Sequence, residues 1–356
     1  MKKAILINDT STKPHIGCRI VVARIIAMAA EVGIQVTATA SVHTDWRRHE
    51  ALKQEMRAAD VVIVNGEGTL HDSVPAARAL AAVGPFCRDA EVPVVLINSV
   101  YQDNDVALAQ DCRAFDCIFV RESASAGFAR EQGLRAEVVA DLTLTSSVMA
   151  AFAGAARRDR IVMTDNANLP LSALMIDAGI EQPDVAFLNL NTHESQAYFL
   201  PQPLRPARVF LDSGPVDMLT YKRRIGWTRG LKAGLSGRTH PFRRAQAACN
   251  LRRTRGAAEI LQEIATCRGL VAGRFHAMCL ALLADTPVVA MPSNTLKTQG
   301  LLHDAGLSHR LAEDPVQALR LVRTWMDQDR DRAARFVVKA RTDALAMFRK
   351  IASLAR

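Results

Sequence analysis

A short segment near the C-terminal end of the chain combines a fixed positive charge with a titratable imidazole. Gly273-Arg274-Phe275-His276 follows an apolar strand pattern and opens an apolar helix pattern. A helix N-terminus favours an anion, an arginine fork binds carboxylate or phosphate, and histidine transfers protons near neutral pH. The segment therefore predicts chemistry on a small anion. The alternative is a core histidine, which is the usual state of a histidine on an apolar helix.

A glycine-rich loop after another apolar strand pattern is the second candidate. Gly66, Glu67 and Gly68 lead into Leu70 and His71, and the glycines permit a tight turn close to a ligand. His71 stands where a dinucleotide fingerprint has its third glycine, and the Gly-Lys-Ser/Thr of a P-loop is missing. We take Gly66, Glu67, Gly68 and His71 as candidate cleft and acceptor residues, with a plain tight turn as the alternative.

Two further segments place cations directly after predicted strands. Arg121 is a candidate anion clamp, and Ser123 a candidate N-cap for the next helix; a surface Arg–Glu pair is the alternative. Ser293 or Asn294 is expected to cap a helix whose first turn contains Lys297. A cation there opposes the helix dipole, and this conflict points to an anionic ligand.

The elements that must position these residues alternate between strands and helices. Strands are predicted at 3–8, 35–39, 60–65, 94–98, 117–121 and 137–140, separated by helices at 18–32, 49–58, 74–89, 104–114 and 124–132. A second series has strands at 160–163, 185–189, 208–211, 269–272 and 287–290. Its helices lie at 172–178, 244–267, 275–283 and 296–305, with two charged helices over 315–356.

This alternation predicts an α/β protein with parallel sheets covered on both faces. We expect two Rossmann-like, doubly wound domains, an N-terminal one over 1–155 and a C-terminal one with the terminal helices over 156–356. Ligands of such sheets bind at the carboxyl ends of the strands. The two domains should therefore form an interdomain cleft, and His15, in the loop after the first strand, should line it unless that loop is only a connection.

The positive charge of the chain is concentrated in one segment. The 356 residues carry a formal net charge of +9, yet eleven cations lie between Lys222 and Arg255, where no acidic residue occurs. Such a block predicts an anionic partner, such as a lipid surface, a diphosphate-linked acceptor, an acidic glycan or a nucleic acid. The alternative, to which we give equal weight, is that the cations lie on a helix face in contact with water and bind no partner.

Composition excludes several other classes of protein. Hydrophobic residues make up 49%, enough for a large core, and no apolar run is long enough to cross a bilayer. The seven cysteines contain no CxxC pair, and no HExxH pattern occurs. We expect reduced thiols, no bound metal, no signal peptide and a cytoplasmic location.

Taken in order, the motifs resemble the polysaccharide pyruvyl transferase family. The loop ending in Leu70-His71, then Arg121-Glu122-Ser123, Asp141, Gly273-Arg274-Phe275-His276-Ala277, and Ser293-Asn294 with Lys297 carry the resemblance. It implies a GT-B-like fold, phosphoenolpyruvate as donor, and a sugar diol as acceptor that becomes a pyruvate ketal. Glu67 departs from the family, since many members have glycine there.

The resemblance also implies residue roles. His276 would be the catalytic residue, Arg274 and Arg121 would bind the donor, and Phe275, Ser293, Asn294 and Lys297 would complete the donor site. No cofactor is implied beyond phosphoenolpyruvate as co-substrate. The acceptor would be a bacterial surface polysaccharide or its lipid-linked precursor.

Two other functions stay open at this point. One is a GT-B-type glycosyltransferase that uses a sugar nucleotide. The other is a non-catalytic binder of acidic glycan or membrane through residues 222–255. The same segment predicts peripheral association with the inner, anionic face of the membrane, and we expect no specific nucleic acid partner. The acceptor sugar, the ketal stereochemistry and the oligomeric state are left open.

Overall fold

The computed structural model describes residues 1–42, 44–211 and 241–356. Its strands are β1 (Lys2–Asp9), β2 (Ile34–Ser41), β3 (Val61–Glu67), β4 (Val94–Ser99), β5 (Cys117–Val120), β6 (Ala136–Val138), β7 (Arg158–Thr164), β8 (Val185–Leu188), β9 (Arg208–Phe210), β10 (Cys267–Ala272) and β11 (Val288–Ala290).

The described α-helices are α1 (Ile16–Glu31), α2 (Glu50–Arg57), α3 (Pro75–Ala81), α4 (Val83–Asp89), α5 (Val106–Cys112), α6 (Ser123–Glu131), α7 (Leu169–Ile180), α8 (Pro241–Arg252), α9 (Ala257–Thr266), α10 (Phe275–Leu283), α11 (Lys297–Asp304), α12 (Pro315–Leu321) and α13 (Asp327–Leu354). None of them combines the length and apolarity that a membrane span requires.

The strands form two all-parallel sheets. The first has seven strands in the order β6-β5-β4-β3-β1-β2-β9, and the second has four in the order β11-β10-β7-β8. Successive side chains of a strand point to opposite faces. Ile5 and Ile7 accordingly pack into one apolar cluster of the first sheet, and Ala4 and Leu6 into another. This two-sided burial confirms the predicted α/β, Rossmann-like architecture.

The chain divides into two compact units that differ from the predicted continuous domains. The first unit comprises 1–146, 194–211 and the stretch from 338 onward, and the second comprises 147–193 and 241–337 of the described chain. Strand β9, expected in the second domain, pairs with β2 at the edge of the first sheet. The last turns of α13 bury Met347, Phe348 and Ile351 in the first unit.

All seven cysteines are free, as expected, and five of them are buried. Burial raises the pKa of Cys87, Cys112 and Cys267 to about 12. These thiols are therefore protonated near neutral pH, and they pack as small apolar residues.

Candidate active site

Three neighbouring strands of the first unit end in an unusual backbone conformation. Asn8, Glu67 and Asn98 have φ of 66°, 41° and 52° at or near the carboxyl ends of β1, β3 and β4. Few residues other than glycine occupy this left-handed region, and such strain concentrates at functional sites. The amide of Asn8 donates to the carbonyl oxygen of Asn65 at 2.6 Å, and the side-chain amide oxygen of Asn98 accepts from the Leu142 N–H at 3.1 Å.

The glycine loop lies at this edge. A side chain at Gly66 would overlap Ser99 of β4, so the close approach of the two strands requires glycine there. A Cβ at Gly68 would lie 3.5 Å from Nη2 of Arg121. The fold thus brings the predicted loop residue Gly68 and the predicted donor-binding residue Arg121 together.

The carboxylate of Glu67 is buried and hydrogen-bonded inside the first unit. It accepts from the Thr10 hydroxyl, from the Asn65 amide at 3.4 Å and from the Cys18 thiol at 3.4 Å. Burial first, and then the Glu67 charge, raise the pKa of the Cys18 thiol well above 9.0. The Glu67 carboxylate is therefore engaged by neutral hydrogen-bond donors of its own unit.

The two candidate histidines of the first unit occupy different positions. Nδ1 of His71 lies 2.7 Å from the exposed carboxylate of Asp72. His15 is the N-cap residue of α1, and its side chain makes no capping hydrogen bond there. The roles predicted for His15 and His71 at an acceptor site stay predictions.

Arg121 is far more buried than an anion clamp at a surface cleft would be. Its side chain is 2% exposed, and Nη1 donates to Asp141 at 3.2 Å. Glu122, rather than the predicted Ser123, caps α6, because its carboxylate accepts from the N–H of Ser125 at 2.8 Å. Glu122 is buried as well, which rules out the alternative of a surface Arg–Glu pair.

In the second unit, the turn from β10 to α10 is fixed by the adjacent strand β7. A Cβ on Gly273 would overlap the backbone carbonyl of Asp165, so this position requires glycine. The Gly273 N–H donates to the Thr164 hydroxyl at 2.9 Å. Arg274 follows as the N-cap residue of α10, with its side chain 32% exposed.

The Arg274 guanidinium is held by a carboxylate that the sequence interpretation missed. Nε donates to Oδ1 of Asp165 at 3.0 Å, and Nη2 donates to Oδ2. Asp165 is 14% exposed. A signal for it was available, because Asp165 follows the predicted strand 160–163 almost directly and so lies at the same sheet edge as Gly273.

Phe275 and His276 are the first two residues of α10. Both are buried, His276 being 8% exposed, and their rings meet edge to face with centroids 5.6 Å apart. The histidine thus lies two residues after Arg274, on a helix start whose N–H groups favour an anion. Phe275 packs as a core residue of this helix.

The segment after β11 differs in part from its prediction. Lys297 is the first residue of α11, as expected, but neither Ser293 nor Asn294 caps the helix, because the N-cap position falls to Leu296. Instead, the Lys297 ammonium donates to the side chains of Asn294 and Thr295, and the Ser293 hydroxyl donates to Asn294 at 3.1 Å. Lys297 is 9% exposed, so a cation is buried at a helix N-terminus.

The basic segment is described only in part, since residues 222–240 lie outside the described residues. Of its remaining cations, Arg244 pairs with Asp177, while Arg253 and Arg255 lie near Glu259 at 3.7 and 3.1 Å. Arg244 and Arg255 are also buried. Part of the apparent positive block is therefore balanced inside the second unit, and its predicted membrane association stays a prediction.

Together, the second unit places a partly exposed guanidinium, a buried imidazole and an ammonium on segments that follow β10 and β11. These two strands are neighbours, so both segments start at the same sheet edge. Two cations and two helix N-termini can bind a small dianion. An imidazole beside it can transfer protons.

Comparison with solved structures supports the architecture. The chain is similar to a protein assigned as a UDP-N-acetylglucosamine 2-epimerase from Listeria monocytogenes, with 10% identity, coverage of 96% of this chain and 94% of that one, and a TM-score of 0.52. It is also similar to a UDP-glucosyltransferase from Polygonum tinctorium, with 7% identity, coverage of 99% and 98%, and a TM-score of 0.50. These likenesses concern the GT-B fold alone.

Sequence comparison identifies the family. No curated protein matches the chain. The family model described as polysaccharide pyruvyl transferase, in contrast, matches residues 19–295, which include Arg121, Arg274 and His276. The chain belongs to the polysaccharide pyruvyl transferase family.

Proposed function

We propose that the protein transfers pyruvate from phosphoenolpyruvate to two hydroxyls of a sugar, in a bacterial surface polysaccharide or its lipid-linked precursor. The observation that carries the proposal is the Arg274–His276 pair at the start of α10 in a member of the pyruvyl transferase family. The pair provides an anion-binding group and a proton-transfer group two residues apart in the sequence.

Donor recognition follows from charge and geometry. Phosphoenolpyruvate carries a carboxylate and a phosphate, which suit a guanidinium, an ammonium and helix N-termini. Arg274 is the partly exposed candidate in the second unit, and Lys297 is the buried one. The donor-binding role predicted for Arg121, which is buried against Asp141 in the first unit, stays a prediction.

The reaction itself needs only proton transfers and the loss of phosphate. A proton is added to the methylene carbon of the donor, which becomes methyl, and C2 acquires cationic character. Two acceptor hydroxyls form C–O bonds to C2, and the bond from C2 to the phosphate oxygen breaks. One hydroxyl proton balances the proton added to carbon, and the other leaves with phosphate. His276 would act first as acid and then as base.

His276→Ala tests this role. We expect kcat to fall by about 10²–10⁴-fold, the usual contribution of a proton-transfer group, while the affinity for phosphoenolpyruvate stays within about tenfold. Turnover is measured as phosphate release with sugar acceptors, and donor affinity by calorimetry. His303→Ala is the control, because His303 is an exposed histidine of α11 and its loss should change neither value.

Three results would count against the proposal. The first is a wild-type protein that does not bind phosphoenolpyruvate or release phosphate from it with any sugar acceptor. The second is turnover with a sugar nucleotide instead, which would make the protein a glycosyltransferase. The third is unfolding of the His276→Ala variant, which would mean that the imidazole is a core group.

A further inference from the structure

One residue that the proposed chemistry does not use lies directly against its main cation. Asp165 follows β7 and accepts from both Nε and Nη2 of Arg274. The same turn is fixed by Thr164, whose hydroxyl accepts from the Gly273 N–H at 2.9 Å, and by the carbonyl of Asp165, which leaves no room for a side chain on Gly273. The backbone just before Arg274 and the Arg274 side chain are thus both held by residues at the end of β7 and directly after it.

The next residue extends this support to the second donor segment. The side-chain amide of Asn166 is completely buried and donates to the carbonyl of Pro292 at 2.9 Å, just before Ser293. Its amide oxygen accepts from the Asn168 N–H at 2.8 Å, which fixes the amide orientation. The residues after β7 therefore hold both segments that the proposed donor site needs.

The pairing also determines how Arg274 can meet a ligand. A guanidinium has two edges that can bind an anion with two hydrogen bonds: the side edge, Nε with Nη2, and the end edge, Nη1 with Nη2. Asp165 occupies the side edge. The end edge is the one that Asp165 does not hold, and its direction is fixed by the carboxylate.

We propose that Asp165 is a positioning residue, which orients the end edge of Arg274 toward the donor anion; this inference rests on the proposed function. An arginine side chain has about 2 kcal/mol of rotamer entropy, and Arg274 is partly exposed, so loss of the two hydrogen bonds to Asp165 would widen the range of directions that its guanidinium samples. Asp165 also cancels part of the positive charge, and that effect alone would weaken anion binding. A neutral variant such as D165N therefore separates the two effects. Loss of orientation would weaken anion binding, whereas loss of the negative charge would strengthen it.

The experiment measures phosphoenolpyruvate affinity by calorimetry for the full chain and for D165N, D165E, R274Q and the D165N/R274Q double variant. If Asp165 orients Arg274, D165N should weaken binding about tenfold or more. D165E keeps the charge but displaces it by one methylene, and it should weaken binding as well. The double variant should bind no more weakly than R274Q, because Asp165 acts only through Arg274.

A turnover assay supplies a readout that a purely structural role would not change. In D165N the KM for phosphoenolpyruvate should rise while kcat stays within about twofold, since the proton-transfer group is intact. D159N is the matched control, because Asp159 lies on the same strand, at its other end, and pairs with Arg268 of β10. D159N should leave both constants unchanged.

Each outcome decides between stated possibilities. Tighter binding in D165N, or wild-type binding in D165E, would mean that Asp165 acts through charge, and the positioning role would be overturned. If the losses of affinity in D165N and R274Q add up in the double variant, Asp165 acts through general stability. This result would also overturn the positioning role. A wild-type protein that does not bind phosphoenolpyruvate at all would instead contradict the proposed function, which separates the two failures.

Discussion

Arg121 and Arg274 both pair with an aspartate of their own unit, but in different surroundings. The Arg121–Asp141 pair is almost completely buried, whereas Arg274 is about one-third exposed and its partner Asp165 is 14% exposed. Removing one partner of a buried pair leaves an unpaired charge and is strongly destabilising. Substitutions at Arg121 will therefore combine folding and binding effects, while substitutions at Arg274 report mainly on binding.

Gly273→Ala should damage the turn that presents Arg274. The added Cβ would overlap a backbone carbonyl, which cannot rotate away as a flexible side chain could. We expect a loss of about 1–3 kcal/mol in the free energy of unfolding, typical of overpacking, together with weaker phosphoenolpyruvate binding. Denaturant unfolding and calorimetry measure the two effects.

Gly127→Ala is the matched control for this prediction. Gly127 lies inside α6, and a Cβ there meets no atom within 4 Å. Alanine should stabilise this helix by about 0.5–1 kcal/mol. Equal effects of the two substitutions would contradict the steric argument for Gly273.

At the scale of elements, the strands were predictable and the helix interruptions were less so. Every described strand overlaps its predicted range, because buried parallel strands are near-continuous apolar runs, and only β9 of these strands lies in the sheet of the other domain. The predicted helix 74–89 is divided at Ala82, since Pro85 cannot lie inside a helix but is tolerated in the first turn of α4. The predicted helix 244–267 is interrupted before Gly256, the N-cap residue of α9.

The position of a candidate residue was predictable where the residue follows its own strand. Arg274, His276 and Lys297 were placed at helix starts from the apolar runs before them, and the structure has them there, while their roles stay predictions. Asp165 was missed because its importance depends on the neighbouring strand β10, and the pairing of β7 with β10 joins residues about a hundred positions apart. The membership of β9 in the first sheet is a long-range pairing of the same kind.

The first turn of α13 contains a buried carboxylate that joins it to the preceding segment. The side chain of Asp329 is fully buried and accepts from Nε2 of His309 at 2.7 Å and from Nε of Arg310 at 3.1 Å. Arg310, itself 2% exposed, also donates to the carbonyls of Leu321 and Thr324. The start of α13 is therefore fixed by an ion pair with no access to solvent.

This carboxylate should make stability depend on pH. Burial alone would raise the pKa of Asp329, but hydrogen bonds from the Met326 N–H, Arg310 and His309 together lower it below 3.8. The unfolded chain then binds the proton more readily, so the contribution is complete above about pH 4–5 and is lost as pH falls through the folded pKa. D329N should lower the free energy of unfolding by about 3–5 kcal/mol at pH 7. The difference in this free energy between D329N and the wild type should become smaller toward pH 2.

Urea unfolding from pH 7 to pH 2 measures this dependence. D343N is the control in the same helix, because Asp343 pairs with the exposed Lys339 on the helix surface. Its cost should be about 0.3–0.5 kcal/mol. A D329N deficit that stays constant down to pH 2 would show that ionisation of Asp329 does not stabilise the fold.

At the scale of the whole molecule, the first unit is assembled from distant parts of the chain. Its core combines Leu6, Ile25 and Ile63 with Met347 and Phe348 of α13, all nearly inaccessible to solvent. A division after residue 155, as the sequence alone suggested, would remove both α13 and β9 from this unit.

The fragment 1–155 should therefore not fold cooperatively on its own. The face of the sheet that α13 covers would be exposed to water, and burial of each large apolar side chain contributes about 1.5–3 kcal/mol. Circular dichroism during thermal unfolding and limited proteolysis test this expectation. Addition of the peptide 338–356 should increase protection, and a sharp transition at the full-length temperature would refute the argument.

The same discontinuity has a consequence during protein synthesis. Phe348 leaves the ribosome about 200 residues after β6, the sixth strand of the first sheet along the chain, a delay of about 10–40 s at common elongation rates. Throughout that interval Leu6 and Ile63 lack the α13 side chains that share their core cluster in the folded protein. The nascent chain thus presents an apolar surface to the cell for much of its translation, and we expect chaperones that bind such surfaces to engage it then.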